Sequence, residues 1–170
     1  QELPGGPVQI DYTGVENFNT VFVLEESPLV QGELWAGTDD GLVHITTDGG
    51  KNWKKITPPG LPELATVNSI DISRHHKGTA YVTAHNYRLN DFKPYVFRTD
   101  NYGATWTSIT SGIPADWFVR VVREDPAKEG LLYCGTEFGM FISGDGGKNW
   151  TPFQLTLPRT PVTDLLIKDD

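Results

Sequence analysis

The chain has 170 residues, with 14 Lys and Arg against 22 Asp and Glu, which gives a formal net charge of −8. This acidic balance argues against nucleic acid or an anionic membrane as the main partner, because both attract basic patches. No apolar run approaches the roughly 20 residues of a membrane-spanning helix, and a single cysteine, Cys134, excludes an internal disulfide. With 11% aromatic residues, the composition predicts a folded chain and not a disordered one.

Short apolar segments separated by turn residues recur in the same order along the chain, and none shows helical periodicity. Each unit has four predicted strands, which is the pattern of an all-β repeat, and units of this size indicate propeller blades. The predicted strands are 20–24, the region of Trp35, 42–46 and the region of Ile56; then 67–72, the region of Tyr81, 95–99 and the region of Ile109; then 118–122, the region of Tyr133, 140–143 and the region of Phe153.

An eight-residue motif closes the third strand of every unit. Its pattern is [ST]-x-[DN]-x-G-x-[NT]-W, and it occurs without gaps at 46–53, 99–106 and 143–150. One match would be weak, but three in register define a repeat. The motif predicts a tight turn between the third and fourth strands of each blade.

Each motif position has a mechanical interpretation. The Asp or Asn accepts hydrogen bonds from turn N–H groups, the glycine supplies a positive φ, and the tryptophan buries its ring against the outer strands. One or two carboxylates per motif are too few for calcium, which needs six to eight oxygen ligands. We therefore predict a structural role, and no metal site, for Asp48, Gly50, Trp53, Asn101, Gly103, Trp106, Asp145, Gly147 and Trp150.

The second unit contains an insertion. The spacing from its leading glycine, Gly78, to Trp106 is seven residues longer than the spacing from Gly32 to Trp53 in the first unit. The extra residues fall in 85–94, between the second and third strands. Elaborated loops on rigid scaffolds often carry function.

The motif resembles the Asp-box, or BNR repeat, of sialidases, xyloglucan-degrading enzymes, photosystem II assembly factors and sortilin-type receptor domains. With the phrases at 34–41, 119–126 and 135–139, the chain looks most similar to large bacterial sortilin-like or BNR-repeat "glycosyl hydrolase" proteins. This resemblance covers about residues 15–170. It implies a β-propeller and a location outside the cytoplasm, and it specifies the fold better than the chemistry.

In a propeller, the first strand of each blade lines the axis, and the loops between its second and third strands share a face with the loops that join blades. Two carboxylates on that face, Asp39 and Glu137, are weak candidates for glycosidase chemistry, which needs a carboxylate pair. Both lie in short hairpin turns, where acidic residues are expected anyway. A sialidase would use an arginine cluster such as Arg88, Arg120 and Arg123, but the Arg-Ile-Pro phrase of that family is absent.

The insertion is a candidate recognition element, because aromatic, cationic and amide groups are favoured at binding hot spots. The alternative is that the loop only covers its own blade, with Phe92 and Tyr95 buried. The predicted binding residues are Tyr87, Arg88, Asn90, Asp91, Phe92, Trp117 and Phe118.

The leading hypothesis is a non-catalytic propeller segment without a cofactor, which binds protein or glycan or docks into a larger assembly. The alternatives are part of a BNR-repeat glycoside hydrolase, xyloglucanase-like more than sialidase-like, and an assembly-factor-like subunit of a membrane or photosynthetic complex. The expected partner is another protein or the rest of the propeller. The predicted organisation is a lead-in at 1–19, blades at 20–66, 67–117 and 118–162, and the first strand of a further blade at 163–170.

Overall fold

The structure is a computed structural model that describes residues 20–168, so the predicted lead-in, 1–19, lies outside the described residues. The described chain is almost entirely β-structure, with one short 3-10 turn at Tyr87–Leu89. No helix in this part of the chain has the length and apolar character that a membrane crossing requires. The strands are β1 (Val21–Glu26), β2 (Leu34–Thr38), β3 (Val43–Thr46), β4 (Lys54–Lys55), β5 (Thr66–Ile72), β6 (Ala80–Asn86), β7 (Asp91–Thr99), β8 (Thr107–Ser108), β9 (Val119–Glu124), β10 (Leu132–Thr136), β11 (Gly139–Ser143) and β12 (Thr151–Pro152).

The twelve strands form three four-stranded antiparallel sheets, in which each strand pairs with its neighbours in sequence. We call them blade 1 (β1–β4), blade 2 (β5–β8) and blade 3 (β9–β12). The predicted all-β class with about three four-stranded units is confirmed. The inner strands β1, β5 and β9 contact one another in order, which places them side by side at the axis.

The hydrophobic core lies between the blades. One cluster joins blades 1 and 2 and includes Trp35, Val67 and Val82, each no more than 1% exposed. A second joins blades 2 and 3 around Tyr81 and Val122. Burial between neighbouring sheets explains why a unit that is too small to bury its own face folds only beside another.

Every inner strand carries a β-bulge at the same place. The residue without a partner on the second strand is Phe22 in β1, Asn68 in β5 and Arg120 in β9. A bulge inserts one residue into the pairing and re-aims its side chain. The three blades therefore present one irregular position each, at the same height along the axis.

The three repeat turns share one hydrogen-bond pattern. In the first, Asp48 Oδ1 accepts from the Thr46 hydroxyl (2.7 Å) and from the backbone N–H of Asn52 (2.9 Å). The Asn52 side-chain amide donates to the other carboxylate oxygen (2.7 Å). These hydrogen bonds, from the side chain and backbone of Asn52 first, lower the pKa of Asp48 to about 2. The same arrangement surrounds Asp145 in the third turn, and the second turn replaces the carboxylate with the amide of Asn101.

The motif tryptophans bridge blades instead of covering only their own. The indole N–H of Trp106 donates to the Ile56 carbonyl oxygen (2.8 Å), and that of Trp150 donates to the Ile109 carbonyl oxygen (2.7 Å). Both carbonyls belong to the preceding blade, just after its last strand. Trp53, in blade 1, is 43% exposed. The repeat turn is thus a joint between consecutive blades.

Residues 163–168, predicted as the first strand of a further blade, are not part of any strand in the structure. The segment is anchored by the Val162 N–H, which donates to the Thr136 carbonyl oxygen (2.9 Å), and by an ion pair between Arg123 and Asp164 (3.0 Å). A strand is defined by a hydrogen-bonded partner, and the described chain supplies none here. The division into blades and a further strand stays a prediction at this end.

Candidate functional site

The insertion extends the hairpin between β6 and β7. Asn90 adopts a left-handed conformation (φ 60°) after the 3-10 turn, and its N–H donates to the Tyr87 carbonyl oxygen (2.9 Å). The Asp91 carboxylate accepts from the Tyr95 hydroxyl (2.5 Å) and from the Lys93 N–H (3.2 Å). Two of the predicted binding residues, Asn90 and Asp91, therefore shape the loop.

The loop reaches from blade 2 to blade 3 through stacked rings. Tyr87 stacks on Phe118 with ring centroids 5.1 Å apart and planes 25° apart, and His85 lies against Tyr87 at 4.7 Å. Phe92 also packs against Phe118, with 6.3 Å between the ring centroids. Phe118 is buried, whereas Phe92 is 44% exposed. This geometry differs from the alternative in which the loop covers only its own blade and buries Phe92.

Arg120, at the bulge of β9, lies over this aromatic group. Its guanidinium carbon is 4.7 Å from the Phe118 centroid and 5.3 Å from that of Tyr87. Its Nε and Nη2 donate to Glu137 Oε2 at 3.0 and 2.7 Å. Each such cation–π contact contributes about 0.5–2 kcal/mol. Glu137 is therefore the partner of a half-buried arginine.

Trp117 faces away from the Tyr87 stack, although it is adjacent to Phe118 in sequence. It packs on blade 3, with Phe138 at 5.2 Å and Phe141 at 5.9 Å between centroids, and Arg159 lies over its ring at 5.0 Å. Phe138 is 41% exposed. The predicted aromatic residues thus fall into two adjoining groups: Phe92 is the exposed ring of one, and Phe138, which is not among the predicted binding residues, is the exposed ring of the other.

Asp39, the other candidate carboxylate, is held in the hairpin between β2 and β3. Its Oδ1 accepts from the Thr20 N–H (2.9 Å), and its own N–H donates to the Thr20 carbonyl oxygen (3.1 Å). The neighbouring Asp40 accepts a short hydrogen bond from the Thr38 hydroxyl. These contacts match the hairpin-turn interpretation of the acidic residues.

The His85 ring lies beneath the loop, against Tyr87, and its pKa is perturbed. Burial, followed by the positive charges of Arg120 and Arg88, lowers its pKa to about 4. The ring is neutral at pH 7, and its Nδ1 is buried without a hydrogen-bond partner among the described residues. Arg88 itself lies on the exposed side of the loop.

Sequence reasoning missed the pairing of Arg120 with Glu137 and the contributions of His85, Phe138 and Arg159. The bulge that aims Arg120 leaves no signature in a single strand, because it is defined by the register with β10. Among residues 20–168, no group of three or more His, Cys, Asp or Glu side chains is arranged to hold a metal ion. Cys134 is fully buried, and burial raises the pKa of its thiol.

No protein-family model matches the chain. An oligoxyloglucan-reducing end-specific xyloglucanase of Emericella nidulans is 28% identical over 108 residues, which are 62% of this chain and 13% of that protein. A vacuolar protein sorting/targeting protein 10 of Laccaria bicolor is 31% identical over 109 residues, which are 62% of this chain and 7% of that protein. The chain thus spans a small part of the length of each relative.

Two solved structures show the architecture. An ancestral GH74 enzyme superimposes with a TM-score of 0.64 at 23% identity, over 88% of this chain and 19% of its own. YCF48 bound to a D1 peptide superimposes with a TM-score of 0.62 at 18% identity, over 79% of this chain and 41% of its own. At these identities the likeness concerns the fold. The described chain is thus three consecutive blades of a β-propeller, similar to parts of xyloglucanases, Vps10-type sorting proteins and YCF48.

Proposed function

We propose that this chain is a non-catalytic binding segment of a β-propeller, and that its ligand contacts the face of Phe92 and Phe138. The observation that carries the proposal is the pairing of Glu137 with Arg120, which engages one candidate catalytic carboxylate, while exposed aromatic rings stand on either side. Asp39, the other candidate, is engaged by the Thr20 backbone. Each candidate carboxylate thus has a structural partner within the described residues.

The exposed surface of the site suits a ligand with both apolar faces and polar groups. Phe92 and Phe138 are each close to half exposed, and they are linked through the adjacent Phe118 and Trp117. Rings of this kind stack on sugars and on peptide side chains. A glycan or a polypeptide is therefore the proposed ligand class, in keeping with the relatives that are named for xyloglucan and with YCF48, which is bound to a D1 peptide.

The finer features of the proposal rest on the family resemblance. We assign the three repeat turns to the Asp-box type, because each combines an Asp or Asn acceptor, a positive-φ glycine and a tryptophan, and in the second and third turns this tryptophan joins two blades. A location outside the cytoplasm follows from the same resemblance. For the similarity to YCF48, the corresponding proposal is that the chain docks into a membrane or photosynthetic complex.

The alternative is that the chain is part of a glycoside hydrolase, which the similarity to xyloglucanases favours. In that case, carboxylates from further blades would complete the reaction. Glu137→Gln distinguishes the two functions. It weakens the ion pair with Arg120 in either case, but it abolishes hydrolysis of xyloglucan only if Glu137 belongs to the catalytic pair.

The test of the binding function is a titration of the protein with xyloglucan oligosaccharides and, separately, with the D1 peptide. Truncation of buried aromatic contacts at an interface costs about 1–2 kcal/mol per ring. We therefore expect the double variant Phe92→Ala/Phe138→Ala to bind its ligand at least tenfold more weakly. Trp53→Ala is the matched control, since Trp53 is a 43% exposed ring in the repeat turn of blade 1, between β3 and β4 and not among the loops of the site.

Equal affinity of the double variant and the wild-type protein would overturn the proposed surface. Hydrolysis of xyloglucan by the wild-type protein, lost in Glu137→Gln, would replace binding with catalysis as the function. Binding of the oligosaccharides alone, or of the peptide alone, decides between the two ligand classes.

A further inference from the structure

The last described segment begins where the inner strand of a blade after blade 3 would begin. The evidence is a close contact that recurs between blades. Gly37, the fourth residue of β2, lies so close to Val67 of the next inner strand that a Cβ atom on the glycine would overlap the valine side chain. Gly135, the fourth residue of β10, lies in the same way against Val162. Val162 therefore takes the place relative to blade 3 that Val67 takes relative to blade 1.

Two polar contacts hold the segment on blade 3. The Val162 N–H donates to the Thr136 carbonyl oxygen (2.9 Å). Arg123 of β9 donates to Asp164 Oδ1 (3.0 Å) and to the Ser69 hydroxyl of β5 (2.7 Å). Asp164 and Ser69 each lie two residues after the valine that packs on a glycine. The segment thus keeps the spacing of an inner strand and is anchored before any partner pairs with it.

The backbone of this segment is open to pairing. Within the described chain, residues 163–168 use one backbone group in a hydrogen bond, the Leu165 N–H, which donates to Asp164 Oδ1 (2.8 Å). Leu166 is 84% exposed. A row of open N–H and C=O groups is a template for a further strand. Each of β1, β5 and β9 has such a strand beside it, the second strand of its own blade.

The pairings inside blades 2 and 3 indicate which side chains a partner strand carries. The residues three and four places after the first valine of the inner strand each face one residue of the second strand. These pairs are Ile70 with Val82 and Asp71 with Tyr81 in blade 2, and Val122 with Cys134 and Arg123 with Tyr133 in blade 3. Leu165 and Leu166 lie three and four places after Val162. A matching strand therefore has a small apolar residue opposite Leu165 and an aromatic residue opposite Leu166.

We propose that residues 163–167 bind an extended strand of a second polypeptide, which pairs antiparallel with them and covers Leu166 with an aromatic side chain. The bound strand completes the two inner strands of a fourth blade. Main-chain hydrogen bonds supply the affinity, and the aromatic and small apolar side chains supply the selectivity. Phe92 and Phe138 are not part of this surface, so the strand docks independently of the ligand proposed for those rings.

The experiment is a titration of the protein with a blocked peptide that has the sequence of residues 32–39, followed by amide chemical shifts. This peptide contains β2, in which Trp35 and Ala36 are in the required order for antiparallel pairing. We expect saturable shifts at the amides of residues 165–167. At saturation, exchange of these amides with deuterium should slow about tenfold, because pairing protects backbone N–H groups.

Two control peptides separate backbone pairing from side-chain contact. The peptide with Ala36→Pro lacks a backbone donor and cannot continue the pairing, so it should cause no saturable shifts. The peptide with Trp35→Ser keeps the backbone and loses the ring, so we expect it to bind about tenfold more weakly.

A pair of protein variants tests the segment itself. Leu166→Ser removes the apolar contact for the aromatic side chain, so the peptide should bind about tenfold more weakly. Because Leu166 is exposed, this variant should keep the chemical shifts of the three blades. Leu155→Ser is the matched control, since Leu155 is a 77% exposed leucine just after β12, outside residues 163–167. It should bind the peptide as the wild-type protein does.

The proposal is overturned if the peptide leaves residues 165–167 unshifted, if the Ala36→Pro peptide binds as tightly, or if Leu166→Ser has no effect. Shifts confined to the loops of Phe92 and Phe138 would also overturn it, because the peptide would then occupy the aromatic surface. Shifts of residues 165–167 that depend on protein concentration without any peptide would identify a second copy of this chain as the occupant, in place of a separate partner.

Discussion

The two junctions between blades are built from different chemistry on the same scaffold. Between blades 1 and 2, the contact is apolar, with Trp35 and Trp106 meeting edge to face at 6.4 Å. Between blades 2 and 3, side chains of β5 satisfy backbone groups of β9: the Asn68 amide donates to the Arg120 carbonyl oxygen, and Asp71 accepts from the Glu124 N–H. The repeat thus determines where two blades meet, whereas the residues at each junction determine whether the contact is apolar or polar.

The candidate site lies at the junction of blades 2 and 3, where Arg120 contacts the aromatic rings of the loop. An apolar junction contributes stability through burial, whereas a polar junction offers directional groups at some cost in desolvation. Since both junctions bury an apolar cluster, the polar contacts between blades 2 and 3 add directional groups to a junction that is also stabilised by burial.

The largest expected effect comes from breaking the apolar junction. Trp35 is fully buried and donates to Glu33 Oε1 (2.8 Å), so Trp35→Ala leaves both a cavity and a carboxylate without its donor. We expect the free energy of unfolding to fall by about 3–5 kcal/mol, measured by urea denaturation. The control is Trp53→Ala, because Trp53 is 43% exposed. Equal losses in both variants would contradict a core located between the blades.

An intermediate effect on stability is expected when the pH changes. His85 and Asp71, at the junction of blades 2 and 3, contribute to stability in opposite pH ranges. The His85 pKa is lowered to about 4 in the folded chain from an ordinary 6.5, so its contribution is present above pH 6.5 and is lost as the pH falls towards 4. The Asp71 pKa is raised to about 6 from 3.8, so its contribution is present below pH 3.8 and is lost as the pH rises through 6. Each contribution is on the order of 2 kcal/mol.

Single variants separate these opposed contributions. On going from pH 6.5 to 4.5, Asp71→Asn should lose more stability than the wild-type protein, and His85→Gln should lose less. Urea denaturation at the two pH values measures both differences. Identical pH dependence in all three proteins would show that neither group is perturbed at this junction.

The smallest effect is expected at the rim of the same junction. His76 of blade 2 pairs with Glu129 of blade 3 at 2.8 Å, but both side chains are more than half exposed. Exposed ion pairs contribute little, because solvent screens them. His76→Ala should leave the thermal unfolding midpoint unchanged within error. A clear decrease would mean that the polar junction is held at its rim and not by Tyr81 and Asn68 inside.

The fold could be predicted from the sequence because each blade repeats its own local signals. Three motifs in register locate the turns, and the offset between Gly78 and Trp106 locates the insertion. Turn chemistry and strand alternation act over a few residues, so one sequence is enough to detect them.

The site could be predicted only in part, since it depends on contacts between blades. Tyr87, Phe92 and Phe118 could be selected by residue type, but their stacking across two blades could not. The partner of Arg120 is set by the register of β9 against β10. This register cannot be read from the sequence alone. The bridging tryptophans show the same limit, because Trp150 donates to a carbonyl 41 residues earlier.

The bulge shared by β1, β5 and β9 gives each blade one position where the side chain can vary without a change of strand register. Phe22, Asn68 and Arg120 differ completely in size and charge, yet the ladder beyond each resumes the same register. A substitution there changes what the axis displays without shifting the alternation of neighbouring residues. Divergence, or a designed library, can therefore explore these positions without a shift of strand register, and at Asn68 and Arg120 it also changes the contacts between blades 2 and 3.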